Sequence, residues 1–176
     1  SSLAGADVAW VNANKDTAYF SGTAGTVTLG SSIDVGGLTF NTTGYGITTT
    51  GNSLNFAATN NTILFNNIAA ATITGPVGGS GNVILTAFNP NTAGTLTLNG
   101  TSTGGWSGTT SVHAGMTPSL AGHNQGLNNT SGLTLNGGNL TLTNTSATAV
   151  TNNRVSNATI TSNGGTFTYT NTSGTG

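Results

Sequence analysis

Apolar and polar residues alternate with a period of two along most of this chain. Residues Leu140–Thr143 read Leu-Thr-Leu-Thr, so an extended strand there points its leucines to one side and its threonines to the other. The same alternation recurs at Thr26–Leu29, Leu38–Phe40, Leu54–Phe56, Thr72–Thr74 and Thr95–Leu98. No segment repeats apolar residues at helical spacing over three turns. Turns rich in glycine and asparagine separate these segments, and the whole pattern predicts an all-β protein.

Two segments near the end of the sequence repeat one another 27 positions apart. They read SGLTLNGGNLTLTNTS, residues 131–146, and NATITSNGGTFTYTNTS, residues 157–173. Such a repeat indicates a solenoid, because one unit has an apolar face that it cannot bury alone. An antiparallel sandwich is the alternative, but it gives successive strands different neighbours. Stacked parallel rungs place equivalent residues about 4.8 Å apart and favour identical ladders, so the sequence predicts a single-stranded parallel β-helix.

Alignment of the two repeats predicts the core and the corners of this β-helix. The inward strand positions are expected to form the core, and they are Leu96, Leu98, Leu140, Leu142, Phe167 and Tyr169. Stacked asparagines are expected to form corner ladders, namely Asn136 with Asn163 and Asn144 with Asn171. The threonines between the core positions are expected to face solvent.

The length of 176 residues suits one domain, and no linker divides it. With rungs of roughly 20 to 27 residues, residues 23–176 are predicted to form about six or seven turns. Residues 1–22 are predicted to form an N-terminal cap segment, with Trp10 covering the first rung. Trp106 is interpreted as a core or cap residue. No helix, proline or charged residue protects the edge of the last strand. Either more of the same polypeptide follows it or another copy of the chain docks there, and the second alternative predicts self-association into a homo-oligomer or fibre.

Charge is almost absent from the chain. The charged residues are Asp7, Lys15, Asp16, Asp34 and Arg154, and the formal net charge is −1. Nucleic acid is excluded as a partner, because phosphate binding needs clustered lysine or arginine. Cysteine is absent, so no disulfide or thiolate metal site exists. No run of 18 apolar residues is present to span a membrane.

An ordered series of motifs gives the chain a family resemblance. The motifs are Trp10, Asp16–Phe20, Thr26–Leu29, Val35–Phe40, Tyr45–Ile47, Gly94–Gly100 and Trp106–Met116. In this order they resemble bacterial passenger proteins with the autotransporter-associated β-strand repeat. The family's usual Ala-Gly-Thr-Leu ending reads Ala-Gly-Met-Thr at residues 114–117. The resemblance covers nearly the whole chain and implies a right-handed β-helix exported to the bacterial cell surface or beyond, without implying any one activity.

Candidate chemistry is sparse. A Ser-His-Asp set can be written from one of the many serines, His113 or His123, and Asp34. However, Asp34 lies far upstream of both histidines, His113 is expected to face outward and His123 is expected to lie in a loop. Calcium-binding β-rolls need an Asp in each glycine-rich turn, and the turns here carry none. Residues 75–81 are rich in glycine, as phosphate-binding loops are. However, a predicted strand follows them instead of a helix, and no lysine follows the glycines, so they are interpreted as a connecting turn. No catalytic, metal or cofactor site is predicted.

Three functions fit these observations. The leading one is a non-enzymatic extracellular rod that serves as a cell-surface stalk, matrix or fibre subunit. The alternative is an adhesin-type module that presents loops, for instance residues 115–130, to a glycan or host protein. Ice or crystal-lattice binding by outward Thr-x-Thr pairs is the third. It is disfavoured here because residues 116–129 are interpreted as a loop that interrupts the threonine rows.

Overall fold

The strands of this protein lie parallel and stack as a β-solenoid of about six turns. The structure, a computed structural model, describes residues 9–67, 70–99, 105–121, 127–144, 154–155 and 157–171, without the side chains of Asn144 and Asn171. Every pairing between its strands is parallel, and neighbours in each sheet come from successive turns of the chain. This architecture confirms the prediction of an all-β parallel β-helix.

Three parallel sheets form the walls of the described solenoid, and their strands are numbered in chain order. Sheet 1 consists of β1 (Thr17–Phe20), β4 (Gly37–Phe40), β7 (Asn60–Phe65), β10 (Asn82–Ala87), β12 (Thr110–His113), β14 (Gly132–Asn136) and β16 (Thr159–Ser162). Sheet 2 consists of β2 (Thr26–Thr28), β5 (Tyr45–Thr48), β8 (Ala70–Thr74), β11 (Gly94–Asn99), β13 (Met116–Ala121), β15 (Leu140–Asn144) and β17 (Phe167–Asn171). Sheet 3 consists of β3 (Ile33–Val35), β6 (Leu54–Phe56) and β9 (Val77–Gly78). A 3₁₀ turn at Asn12–Asn14 precedes β1.

The register between rungs shows how the chain advances along the solenoid. Thr17 pairs with Gly37, 20 positions later, and Leu140 pairs with Phe167, 27 positions later. These spacings confirm the predicted rung lengths and the 27-residue repeat. Strand β1 already belongs to sheet 1, so the first rung begins within the predicted cap segment, residues 1–22. The division of the chain at residue 22 stays a prediction.

The core is a column of apolar side chains enclosed by the sheets. Leu96 and Leu98 of β11 and Leu140 of β15 are fully buried, and Leu142 is partly buried against the same cluster. Outward threonines separate them along each strand, as the period-two pattern predicted. Removing these apolar surfaces from water is the main stabilising contribution to the stack.

Phe167 and Tyr169 are more exposed than their predicted core positions suggest. They pair with Leu140 and Leu142, but they are 46% and 60% exposed. The reason is their place in the stack, since β17 is the outermost strand of sheet 2 in the described part of the chain. No described rung covers their rings.

Residues 116–121 form a strand, which corrects the prediction of a loop over residues 116–129. Strand β13 pairs along its length with β11, and its second half pairs with β15. Met116, Pro118 and Leu120 point into the core, while Thr117 and Ser119 are only partly buried. Pro118 is an uncommon residue for a central strand, because proline lacks the N–H that such a strand normally donates. Here the pairing with β15 begins one residue later, at Ser119.

Trp106 fills the core where sheet 3 ends. It is fully buried, and its ring packs edge-on against Phe56 of β6 with a centroid distance of 5.1 Å. The backbone N–H of Ser107 donates to the carbonyl of Gly79, just after β9, at 2.9 Å. Residues 105–109 therefore lie beside the end of β9 without forming a strand there. A two-residue strand, β9, also lies within residues 75–81, which were predicted to be a turn only.

Two stacked glycine pairs allow the tight turns after sheet 1 to superpose. Gly164 and Gly165 have φ angles of +91° and +93°, a region that side chains disfavour. A Cβ atom added to Gly165 would overlap the carbonyl oxygen of Gly138 in the rung below. Glycine is therefore required here both by backbone conformation and by the close approach of the rungs.

Two buried threonines are expected to respond oppositely to the same substitution. The hydroxyl of Thr49 is fully buried and has no hydrogen-bond partner among the described residues. The hydroxyl of Thr110 accepts a hydrogen bond from Trp106 Nε1 at 2.8 Å and lies 2.9 Å from Thr130 Oγ1. Thr49→Val should leave the free energy of unfolding unchanged or raise it by about 1 kcal/mol, since it removes an unpaired polar group. Thr110→Val should lower it by about 1 to 3 kcal/mol, since it leaves the indole N–H unpaired.

Denaturant unfolding of the two variants beside the parent chain measures both changes. A loss of stability of similar size in both would contradict the different hydrogen bonding of the two hydroxyls.

Candidate functional site

The outer face of sheet 2 carries two continuous columns of small side chains, here called the threonine face. The first column is Thr26, Gly46, Thr72, Thr97, Ser119, Thr141 and Thr168. The second column is Thr28, Thr48, Thr74, Asn99, Ala121, Thr143 and Thr170. Both columns pass through all seven described strands of the sheet without a break in register.

Strand β13 is what makes the threonine face continuous. Its Ser119 pairs with Thr97 on one side and with Thr141 on the other. A loop at this position would have divided the columns into two short halves. The predicted interruption of the threonine rows at residues 116–121 is therefore wrong.

The threonine face is uniform in chemistry. None of its fourteen side chains is ionisable or aromatic, and ten of them are threonine. Apart from the exposed Asn99, the interior members are partly buried, whereas Thr26, Thr28, Thr168 and Thr170 at the ends of the columns are exposed. In the described part of the chain, the strands of sheet 2 contact their neighbours within the sheet and, at β13, strands β10 and β12. No described strand or helix packs across the outside of this face.

The outer face of sheet 1 is irregular by comparison. Tyr19 is 69% exposed and aligns through Thr39 with Leu64. Ile84 lies beside Thr62 and Ser111 in the next column. His113 pairs with Asn136 and is partly buried. Side chains of very different size therefore interrupt any regular lattice on this side.

Asparagine side chains form hydrogen bonds between rungs at the corners. Asn163 Nδ2 donates to Asn136 Oδ1 at 3.0 Å, and Asn136 Nδ2 donates to Ser111 Oγ at 2.9 Å. The backbones of Asn144 and Asn171 are paired, but their side chains lie outside the described part of the structure.

Further asparagine ladders were missed in the sequence. Asn66 Nδ2 donates to Asn41 Oδ1 at 2.9 Å, and Asn82 Nδ2 donates to Asn60 Oδ1 at 3.1 Å. The two pairs have different sequence separations, so a search for one fixed repeat length does not find them. Asn61 is buried in the core, where its side chain bonds the backbone of Ala58.

Arg154 is the buried cation of the described chain. Its Nη1 atom donates to the carbonyl of Leu120 at 3.1 Å and to the carbonyl of Thr143 at 2.5 Å. Burial lowers the pKa of the guanidinium, while the nearby Tyr169 raises it. The side chain thus joins the ends of β13 and β15 and adds no exposed charge to the threonine face.

The structure does not bring the candidate catalytic residues together. Asp34 lies in β3 of the first rung, where its Oδ1 accepts a hydrogen bond from Asn55 at 2.9 Å. His113 lies in β12 of sheet 1, four rungs further along, and His123 falls outside the described residues. Among the residues that the structure describes, no three His, Cys, Asp or Glu side chains cluster as metal ligands would.

Trp10 lies at the N-terminal end of the core. It is 36% exposed, and its Nε1 atom donates to the carbonyl of Asp34 at 3.1 Å. Together with Phe20, Val27 and Leu29 it lines an apolar cavity of about 260 Å³. The indole therefore lies against the first rung, where the sequence analysis expected a cap.

Comparison with known proteins finds a sequence similarity to an adhesin of the genus Brucella. The Adhesin BmaC autotransporter of Brucella suis biovar 1 (strain 1330) is 42% identical in an alignment of 110 positions, which covers 52% of this chain. The chain is similar to an autotransporter adhesin. Together with the parallel β-solenoid, this similarity supports the resemblance to autotransporter passengers.

The similarity covers only part of this chain and a small part of the Brucella protein. The chain spans 3% of the length of the Brucella protein. No family model matches the sequence, and no solved structure matches it. Within the described residues, no helix is both long and apolar enough to cross a membrane.

Proposed function

We propose that this chain is a non-enzymatic, surface-exposed rod segment of an adhesin-like autotransporter passenger, and that it serves as a stalk. The similarity to the Brucella adhesin supports the surface location and the adhesin class. Bacterial stalks need length and stability more than chemistry. The ladder of parallel strands supplies both, because each added rung extends the rod by about 4.8 Å and buries one more layer of core.

The single observation that carries the stalk proposal is the interchangeability of the rungs. The strands keep their register while their sequence separation varies between 20 and 27 positions. A binding site needs particular residues in a fixed place, whereas a stalk needs only that each rung fits the next. Self-association into a matrix or fibre is a finer form of this proposal. The low formal net charge of −1 supports it, because repulsion between copies of the chain is small.

Adhesion by the segment itself is the second candidate. The identity to a protein named as an adhesin favours it. In that case the connections between sheets, rather than the sheets, present the contact residues to a glycan or host protein.

Deleting one rung distinguishes a stalk from a binding module. Removing residues 132–158 joins residue 131 to Thr159, which occupies the register position of Gly132 in the parent. The shortened full-length protein should reach the cell surface, bind labelled antibody on intact cells, and adhere to matrix proteins and glycans as the parent does. A loss of adhesion with normal surface labelling would favour the binding module. Labelling that appears only after permeabilisation would contradict a surface location.

A further inference from the structure

We propose that the threonine face binds ice, taking ordered water at the surface of the crystal as its ligand. This inference goes beyond the stalk function, and it depends on the outer face of sheet 2 alone. The proposal starts from a property that neither sheet 1 nor the corners share, namely an unbroken two-dimensional array of uncharged residues in which ten of the fourteen positions are threonine.

The spacing of the array is set by the backbone. Neighbouring side chains in one column are about 4.8 Å apart, because this is the distance between paired strands. The two columns are about 6.6 Å apart, because two residues of a strand separate them. Water oxygens at the surface of ice also repeat in two dimensions at separations close to these. The register of the two columns is kept through all seven described strands of sheet 2, so their spacing repeats over the length of the described sheet.

The chemistry of threonine suits an ordered water layer. Each side chain presents one hydroxyl, which donates and accepts hydrogen bonds, beside one methyl group, which water surrounds without bonding. The branched Cβ restricts the side chain to few rotamers, so the hydroxyls keep their positions at low entropic cost. The face therefore holds water in a regular pattern before any crystal arrives.

Charge complementarity also points to a neutral ligand. None of the fourteen positions carries a charge, and the nearby Arg154 is buried with its Nη1 on two carbonyls. A charged face would hold counter-ions and strongly oriented water that do not fit an ice lattice. An anionic polymer or an acidic peptide would find no basic partner here.

A crystalline polysaccharide fits less well. Sugar rings are commonly held by aromatic side chains whose apolar faces stack on them, with planar polar groups at their edges. The threonine face has no aromatic residue and one amide, Asn99. The exposed aromatic Tyr19 lies on sheet 1 instead. Ordered water thus matches the composition better than a glycan does.

Ice affinity of the 176-residue chain tests the proposal. The parent should show thermal hysteresis, shape growing ice crystals and concentrate in a slowly grown ice hemisphere. Thr97→Tyr places a large ring in the middle of the threonine face, between Thr72 and Ser119. The ring prevents the neighbouring side chains from contacting the ice surface. All three activities should fall to the level of a non-binding protein. Thr72→Tyr, whose neighbour Gly46 leaves room for the ring, is the second variant if the first does not fold.

Thr134→Tyr on sheet 1 is the matched control. Thr134 is also an outward strand residue, partly buried between Ser111 and Thr161. This variant should keep the activity of the parent, with circular dichroism showing that all the proteins are folded. Absence of ice activity in the parent, or an equal loss in Thr97→Tyr and Thr134→Tyr, would overturn the proposal. Adsorption to crystalline cellulose or chitin without adsorption to ice would overturn it in favour of a polysaccharide ligand.

Discussion

Leu140→Asp is expected to lower the free energy of unfolding by about 4 kcal/mol or more, the largest effect of a single substitution considered for this protein. Leu140 is fully buried in β15. The substitution leaves a cavity where the leucine packed, which alone costs about 2 to 5 kcal/mol. It also places a carboxylate in an apolar interior, where ionisation without a partner adds a further penalty. Chemical denaturation and thermal melting measure the loss.

Thr141→Asp is the matched control for this prediction. Thr141 is the next residue of the same strand and points outward, so its carboxylate remains hydrated. We expect a change of less than about 1 kcal/mol, as for most surface substitutions. Equal destabilisation by the two variants would show that the inward and outward sides of β15 are assigned wrongly.

Trp106→Ala is expected to lower the free energy of unfolding by about 3 to 5 kcal/mol. The indole is fully buried, contacts the ring of Phe56 and donates its N–H to Thr110. Its removal opens a large cavity in the core beside Phe56. Chemical denaturation and thermal melting followed by circular dichroism, which does not depend on the deleted indole, measure the loss.

Two further variants separate the contributions of this tryptophan. Trp106→Phe keeps most of the packing but loses the hydrogen bond, and it should cost about 1 to 3 kcal/mol. Trp10→Ala removes the other tryptophan, which is 36% exposed, and should cost less than Trp106→Ala. A Trp10 effect equal to that of Trp106 would contradict the different burial of the two rings.

The repeat near the end of the chain was sufficient to predict its local pairing. Its two copies place Leu140 over Phe167 and Leu142 over Tyr169, and the strands have this register. The prediction succeeded because stacked parallel strands favour equal side chains in adjacent rungs. The same logic missed Asn41 with Asn66 and Asn60 with Asn82, because the connections differ in length from rung to rung.

The continuity of the threonine face was the feature least predictable from the sequence. Thr-x-Thr pairs were visible, but their arrangement as two columns depends on which strands are neighbours. Residues 116–129 were interpreted as a loop, but the buried side chains of Met116 and Leu120 hold residues 116–121, including Pro118, in sheet 2. Tertiary packing thus outweighed the local preference of proline.

By itself, the sequence determined the β class, the inward and outward sides of the strands and the stacking of the last two rungs. These properties follow from a period of two and from a repeat of fixed length, and both are local in the chain. Only the tertiary structure decided that sheet 3 has three strands in the described part of the chain, that Trp106 packs against Phe56 of this sheet, and that the threonine face is continuous. Each of these depends on contacts between residues more than 20 positions apart in the chain. The lengths of the intervening connections set those contacts, and no local pattern encodes them.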